Sequence, residues 1–197
     1  MKRAVGILAY GSLIANPGEE IESATVETTD GITTPFNVEF ARRSKERRNA
    51  PTLVPVTTHG APVRARLFAL NVSEAEATNR LYRREINKVG SGRCYRASQK
   101  PGPNTVIVNR LHSFEGVDIV LYTQLASNIQ DLNAETLAAL AIKSARSQYD
   151  GRDGISYLID AKKYGVETLL SEAYEEEIKK QTRANDLYEA LRKARIG

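Results

Sequence analysis

The dominant hydrophobic period shifts from strand-like to helical along this chain, and that shift constrains the fold more than any single motif. Up to about residue 125, one helical stretch after residue 72 apart, the apolar residues form short runs or alternate with polar ones. Residues 4–9 are one continuous apolar run, and Val63, Ala65, Leu67 and Ala69 alternate with Arg64 and Arg66. Beyond Asn133 the spacing becomes helical. Strands followed by helices predict an α+β chain. With 197 residues it is read as a single domain over 1–197, in which 133–197 form a helical C-terminal extension.

Within that frame the boundaries follow from breakers and caps. A strand is expected over 32–40, with Pro35 inside it marking an edge or a bulge. A short one is expected at 53–56, and a half-buried one over 62–72 after the turn at His59, Gly60 and Ala61. Ser73 and Glu76 form a capping-box pattern, so a helix is predicted from there to about residue 89, stopped by Gly90, Ser91 and Gly92. Pro101, Gly102 and Pro103 make 98–105 a loop, and strands follow at 106–111 and 117–125. Asn133 can cap a helix over 134–148; further helices are expected at 155–163, 168–182 and 186–195.

Composition removes several function classes. Cys94 is the single cysteine, so no internal disulfide forms and a reducing, cytoplasmic setting is expected. His59 and His112 are the only histidines, and no Cys/His spacing suits zinc, so no zinc site is expected. Lys2 and Arg3 before the first apolar run loosely resemble a signal peptide, but Tyr10, Gly11 and Ser12 interrupt the run, and a buried strand explains it better. No stretch approaches the ~18 apolar residues of a membrane span.

The net charge is +4, and its location is informative. Residues 42–48 hold five basic residues and one acid; the remainder has 28 − 5 = 23 basic and 24 − 1 = 23 acidic residues. The excess therefore sits in seven residues, as an anion-binding loop, a solvated loop or a local nucleic-acid patch. Aromatic residues are not interleaved with these cations, so the footprint of a nucleic-acid binder is small.

Glu85 is the residue that pattern alone singles out. On a wheel of ~100° per residue, Ala75, Ala77, Leu81, Tyr82, Ile86 and Val89 share one face with it, while Glu76, Asn79, Arg80, Arg83 and Asn87 share the other. A carboxylate facing the core needs a reason, because burying the charge is costly. One reason is a structural ion pair with an arginine; the other is a general base whose pKa desolvation has raised. The pattern leaves both open. Tyr10-Gly11-Ser12-Leu13, at the end of the first strand, can aim backbone N–H groups at one point, although many such turns serve geometry alone. Phosphate-loop, dinucleotide and nucleophile-elbow motifs are absent. Cys94 lies beside Arg93, which favours a thiolate, but no histidine partner is evident.

Taken in order, these pieces resemble the γ-glutamylcyclotransferase-like family. The segment Ile7-Leu8-Ala9-Tyr10-Gly11-Ser12-Leu13-Ile14 is similar to its strand–loop signature. Phe40-Ala41-Arg42-Arg43-Ser44 with Ala50-Pro51-Thr52-Leu53-Val54-Pro55-Val56 resembles a second block of bacterial members. Glu85 stands where the family keeps its catalytic glutamate, and Tyr95 and Tyr122 fall where it often has a pocket tyrosine and a tyrosine on a later strand. The likeness covers about residues 5–125. Many members have a glycine soon after the glutamate, whereas Ile86 to Val89 intervene here before Gly90.

The resemblance implies a small mixed β-barrel with flanking helices. It also implies a cofactor-independent reaction in which a γ-glutamyl compound closes to 5-oxoproline. Glu85 would be the acid/base; Tyr10, Gly11, Ser12, Leu13, Arg43, Tyr95 and Tyr122 would contact a small γ-glutamyl substrate. A monomer or homodimer with no membrane partner is expected. The rival is a non-catalytic binding or interaction domain on the same fold.

Overall fold

The computed structural model describes residues 3–146 and 151–196. They form two compact units, each built from separated stretches of chain: 1–34 with 64–125, and 35–63 with 126–197. The chain is mixed α+β.

The first unit contains a five-stranded sheet. Its strands are β1 (Arg3–Ala9), β2 (Thr25–Thr33), β5 (Arg64–Leu70), β6 (Ile107–Phe114) and β7 (Val117–Gln124), in the order β2-β5-β1-β7-β6. β1 runs parallel to β7 and antiparallel to β5. Its position at the centre explains its composition: residues 5–9 are all buried, and a strand covered on both faces reads as a continuous apolar run. Gly6 is part of that fit, since a Cβ there would lie 3.0 Å from both the Leu67 side chain and the Phe68 carbonyl oxygen. The barrel implied by the family resemblance is not closed among the described residues. β2 and β6 are the sheet's two edges and do not pair with each other; at the β6 edge the Val108 N–H donates instead to the Tyr95 hydroxyl, at 3.2 Å.

Helices α1 (Ser12–Ala15) and α2 (Glu19–Glu22) follow β1, and α3 (Glu74–Glu85) follows β5. α3 packs against β1, β6 and β7. Ser73 caps it by accepting from the Glu76 N–H at 3.3 Å. The expected return bond of a capping box is replaced: the Glu76 carboxylate pairs with Arg80 (2.8 Å) and Arg83 (3.1 Å). The helix ends at Glu85, four residues before the expected stop. Asn87 takes a left-handed φ of 53°, Lys88 N–H donates to Arg83 O at 2.8 Å and Asn87 N–H to Arg84 O at 3.2 Å. This is a Schellman ending, and asparagine supports it nearly as glycine does.

The second unit pairs β3 (Asn37–Ser44) with β4 (Ala50–Val56) through a single 3₁₀ turn at Lys45–Arg47. The strand expected over 32–40 is in fact the end of β2 and the start of β3, separated at Thr34, Pro35 and Phe36. Four helices complete the unit: α4 (Ala134–Ala145), α5 (Gly154–Lys163), α6 (Ser171–Thr182) and α7 (Leu187–Ile196). α4 and α5 pack on β4. Asn133 and Asp153 cap α4 and α5 by accepting from Thr136 N–H and Ser156 N–H, each at 2.8 Å. The part of the first of these helices expected over 147–148 lies outside the described residues. No helix among the described residues is long and apolar enough to cross a membrane.

Candidate active site

α3 brings Glu85 to the end of β1 by simple length. β5 is antiparallel to β1, with Leu70 opposite Val5 and Arg66 opposite Ala9. After β5 the chain turns, and α3 runs back in the direction of β1. Its 12 residues cover about 18 Å at ~1.5 Å per residue. The five β1 residues paired with β5 cover about 16 Å at ~3.3 Å per residue. The last helical residue therefore arrives where β1 gives way to Tyr10 and Gly11.

Ala77, Thr78 and Leu81 are the buried stripe of α3, and Glu85 continues it one turn later. Its side chain keeps 17% of its surface exposed. Loss of solvent nevertheless holds its pKa above the ordinary carboxyl value, opposed by the Arg84 charge and by hydrogen bonds from Thr123 and Arg84. It also lies in the last turn of α3, where the helix dipole disfavours negative charge. The Arg84 Nη1 to Glu85 Oε1 distance is 3.2 Å. The ion-pair partner that the sequence left open is thus the adjacent residue. Val89, placed on the same face by the wheel, lies beyond the helix and is exposed.

Thr123 on β7 links Glu85 to the first turn. Its hydroxyl bonds the Glu85 carboxyl, and its backbone carbonyl accepts the Tyr10 hydroxyl at 2.8 Å. Gly11 has φ 63° and ψ −137°, a conformation that a side chain strains. That kink redirects the chain into α1, where Leu13 and Ile14 are buried. Leu13 thus anchors the turn through its side chain. The first backbone N–H groups of a helix have no acceptor within it, and those of Ser12 and Leu13 are in this position. The Ser12 hydroxyl accepts from Arg84 Nη2 at 3.3 Å.

The structure therefore brings Tyr10, Gly11, Ser12 and Leu13 together with Glu85. The other expected residues are placed differently. Tyr95 belongs to the same unit, but its ring packs on Tyr82 with centroids 5.5 Å apart and its hydroxyl is taken by Val108 N–H. Tyr122 follows β-strand alternation and so projects from the face opposite Thr123; partial burial raises its pKa. Arg43 belongs to the second unit. Its side chain is exposed, while its backbone is held by Asn128, whose Oδ1 accepts Arg43 N–H at 2.7 Å.

The basic run divides. Arg42 is buried and donates to Ala126 O at 2.7 Å, and Arg47 lies 4.6 Å from the centre of the Tyr157 ring. Lys45 and Arg48 are exposed, as is Cys94. Sequence reasoning missed Arg84 and Thr123, both tied directly to Glu85. The alternation of β7 marked Thr123 as inward-facing, but nothing local named its partner. It also put Arg83 on the solvent face. Arg83 is buried, with its guanidinium 2.9 Å from Glu20 and donating to Arg93 O at 3.0 Å.

No protein-family model matches the chain, and no curated protein matches its sequence.

Proposed function

We propose that this protein is a γ-glutamylcyclotransferase, closing a γ-glutamyl compound to 5-oxoproline and releasing the attached amine or amino acid. The observation that carries the reading is Glu85: a carboxyl with a raised pKa beside the Gly11–Leu13 turn, in the order of motifs that resembles the family. A cytoplasmic setting goes with this reading.

The chemistry needs little from the protein beyond folding the substrate and moving protons from the attacking nitrogen to the leaving one. The substrate's α-ammonium is mostly protonated at neutral pH, since α-amino groups titrate at about 7.7–8.0. Glu85 takes that proton. The amine nitrogen then bonds to the γ-carbonyl carbon, and Glu85 returns the proton to the leaving nitrogen as its bond to that carbon breaks. The second proton, shed by the new ring nitrogen, passes through Glu85 to the departing amine, which leaves as an ammonium. Holding the amine and carbonyl in a near-attack geometry can remove about 7–11 kcal/mol of barrier. The N–H groups of Ser12 and Leu13 would receive the substrate's carboxylate or its polarised carbonyl oxygen. Tyr95 and Tyr122, of the same unit as Glu85, remain members of this proposal.

Mass-spectrometric detection of 5-oxoproline tests it. The protein and its Glu85→Gln variant are incubated with glutathione, γ-glutamyl amino acids and γ-glutamyl amines. Product from the parent and none from the variant is the expected result; equal product from both removes Glu85 from the chemistry. The Arg84–Glu85 pair favours a second reading, in which the carboxylate is structural and the site binds without turnover. Ligand-induced stabilisation with no product in any incubation would select it.

A further inference from the structure

We propose that Arg84 is a positioning residue whose one guanidinium fixes the Glu85 carboxyl, the Ser12 hydroxyl and the end of α1 in a single arrangement. It thereby commits the Ser12 proton to an acceptor in the site. The inference rests on reading Glu85 as the base.

Four hydrogen bonds from one planar group to three partners make the case. Nη1 lies 3.2 Å from Glu85 Oε1. Nη2 lies 3.3 Å from Ser12 Oγ. Nε and Nη2 both reach the Asn16 carbonyl oxygen, at 3.0 and 2.9 Å. A guanidinium is a rigid fork, so these three partners cannot shift independently while all the bonds hold. α1 needs such a tether. It has four residues, and so short a helix does not hold itself in water. Asn16 is its C-cap, so Arg84 pins the far end of the turn that carries the Ser12 and Leu13 N–H groups.

The direction of the Ser12 bond follows from chemistry. Arginine donates only, so Ser12 Oγ is the acceptor. Its own O–H has no acceptor among the described residues. A hydroxyl whose lone pair faces a cation is a better donor, and one aimed at a reacting carbonyl stabilises the charge that develops there. As the α-amine adds, the γ-carbonyl oxygen becomes an oxyanion and accepts the Ser12 O–H without taking its proton. When the C=O re-forms, the bond to the leaving nitrogen breaks and Glu85 protonates that nitrogen. Arg84 supplies the charge facing Glu85; from β7 Thr123 supplies a hydroxyl, and from the turn the Tyr10 hydroxyl donates to the Thr123 carbonyl.

The test pairs two readouts on the full chain: titration of the Glu85 carboxyl by ¹³C NMR of glutamate-labelled protein, assigned with Glu85→Gln, and 5-oxoproline kinetics. In Arg84→Met, Glu85 titrates at higher pH than in the parent. There kcat falls about a hundredfold, the scale on which a misplaced group costs rate, while KM changes little. Arg84→Lys keeps a charge but not the fork, so it restores the titration and leaves kcat low. Ser12→Ala leaves the titration unchanged and lowers kcat about a hundredfold, as loss of one oxyanion donor does. An unmoved Glu85 titration in Arg84→Met overturns the proposal, as does an unchanged kcat in that variant. If the parent converts no γ-glutamyl compound, the proposed reaction fails on its own. The titration then decides alone whether Arg84 governs Glu85, a shift sustaining the proposal and no shift overturning it.

Discussion

A carboxyl that loses solvent without gaining enough compensating partners holds its proton more tightly, and Glu85 is in that state. The consequence for stability has a definite sign. Because the folded pKa lies above the unfolded one, the folded state binds more protons in the window between them, and stability falls as pH rises through it. At neutral pH the charged form opposes folding. Glu85→Gln should therefore melt no lower than the parent at pH 7, and its advantage should shrink as the pH is lowered to about 4. Melting curves across that range check this; a large loss at pH 7 would mean that the Arg84 pair outweighs desolvation. The same shift sets the acid limb of kcat/KM, which should lie above the ordinary glutamate value of about 4.3. At Gly11 the backbone itself is the constraint. Gly11→Ala should cost about 1–3 kcal/mol in strain, read as a fall in denaturation midpoint, and should remove activity with it.

At the scale of elements, both units use long-range side chains to end or begin helices. Arg83, on the face of α3 that the wheel gave to solvent, meets Glu20 of α2 and holds the carbonyl of Arg93 in the following segment. In the second unit Glu39 is fully buried, and desolvation raises its pKa against several hydrogen bonds that lower it. Those bonds come from Phe40 N–H at 2.8 Å, Thr168 Oγ1 at 2.5 Å and Leu170 N–H at 3.2 Å. Leu170 is the N-cap of α6 and offers no capping side chain; Glu39, from β3, instead holds the backbone N–H of that residue just ahead of the helix. Glu39→Ala should cost about 3 kcal/mol, because it strands buried donors that had a charged acceptor. Chemical denaturation followed by probes in the second unit measures it. A loss below about 1 kcal/mol would show that water replaces the carboxylate.

Across the molecule as a whole, each unit encloses its own core, and that of the second holds a cluster of buried aromatic rings. Tyr174 and Phe40 are fully buried, with ring centroids 5.3 Å apart at 67°. The Tyr174 hydroxyl has no hydrogen-bond partner among the described residues, and burial with the nearby Asp153 and Tyr157 pushes its pKa well up. Tyr174→Phe removes an unsatisfied buried group and keeps the ring. It should leave the melting temperature unchanged or raise it, by at most about 1 kcal/mol in stability; a clear drop would reveal a partner for the hydroxyl.

What could be read from the sequence follows the range of the interaction. The apolar run of β1, the alternation of β5 and the caps at Ser73 and Asn133 are signals between neighbours, and each yields its element. β2 gave no such signal. Thr25 to Thr33 is mostly polar, it is an edge strand, and Val26 is exposed, so neither its length nor its pairing shows in a local pattern. Within the site, the inward direction of Glu85 is a matter of helical phase and was legible; its place as the last residue of α3 turned on Asn87, a less obvious stop than Gly90. Thr123, Arg84 with Ser12, and Glu39 with Leu170 are separated by many residues along the chain, or are ordinary residues until their partners arrive. By itself the sequence determined where the periodic strands and the longer, capped helices form and that one glutamate turns inward, because period and capping are fixed within a few residues. Only the tertiary structure decided which groups surround that glutamate and whether the sheet closes, because those depend on which distant strands pair.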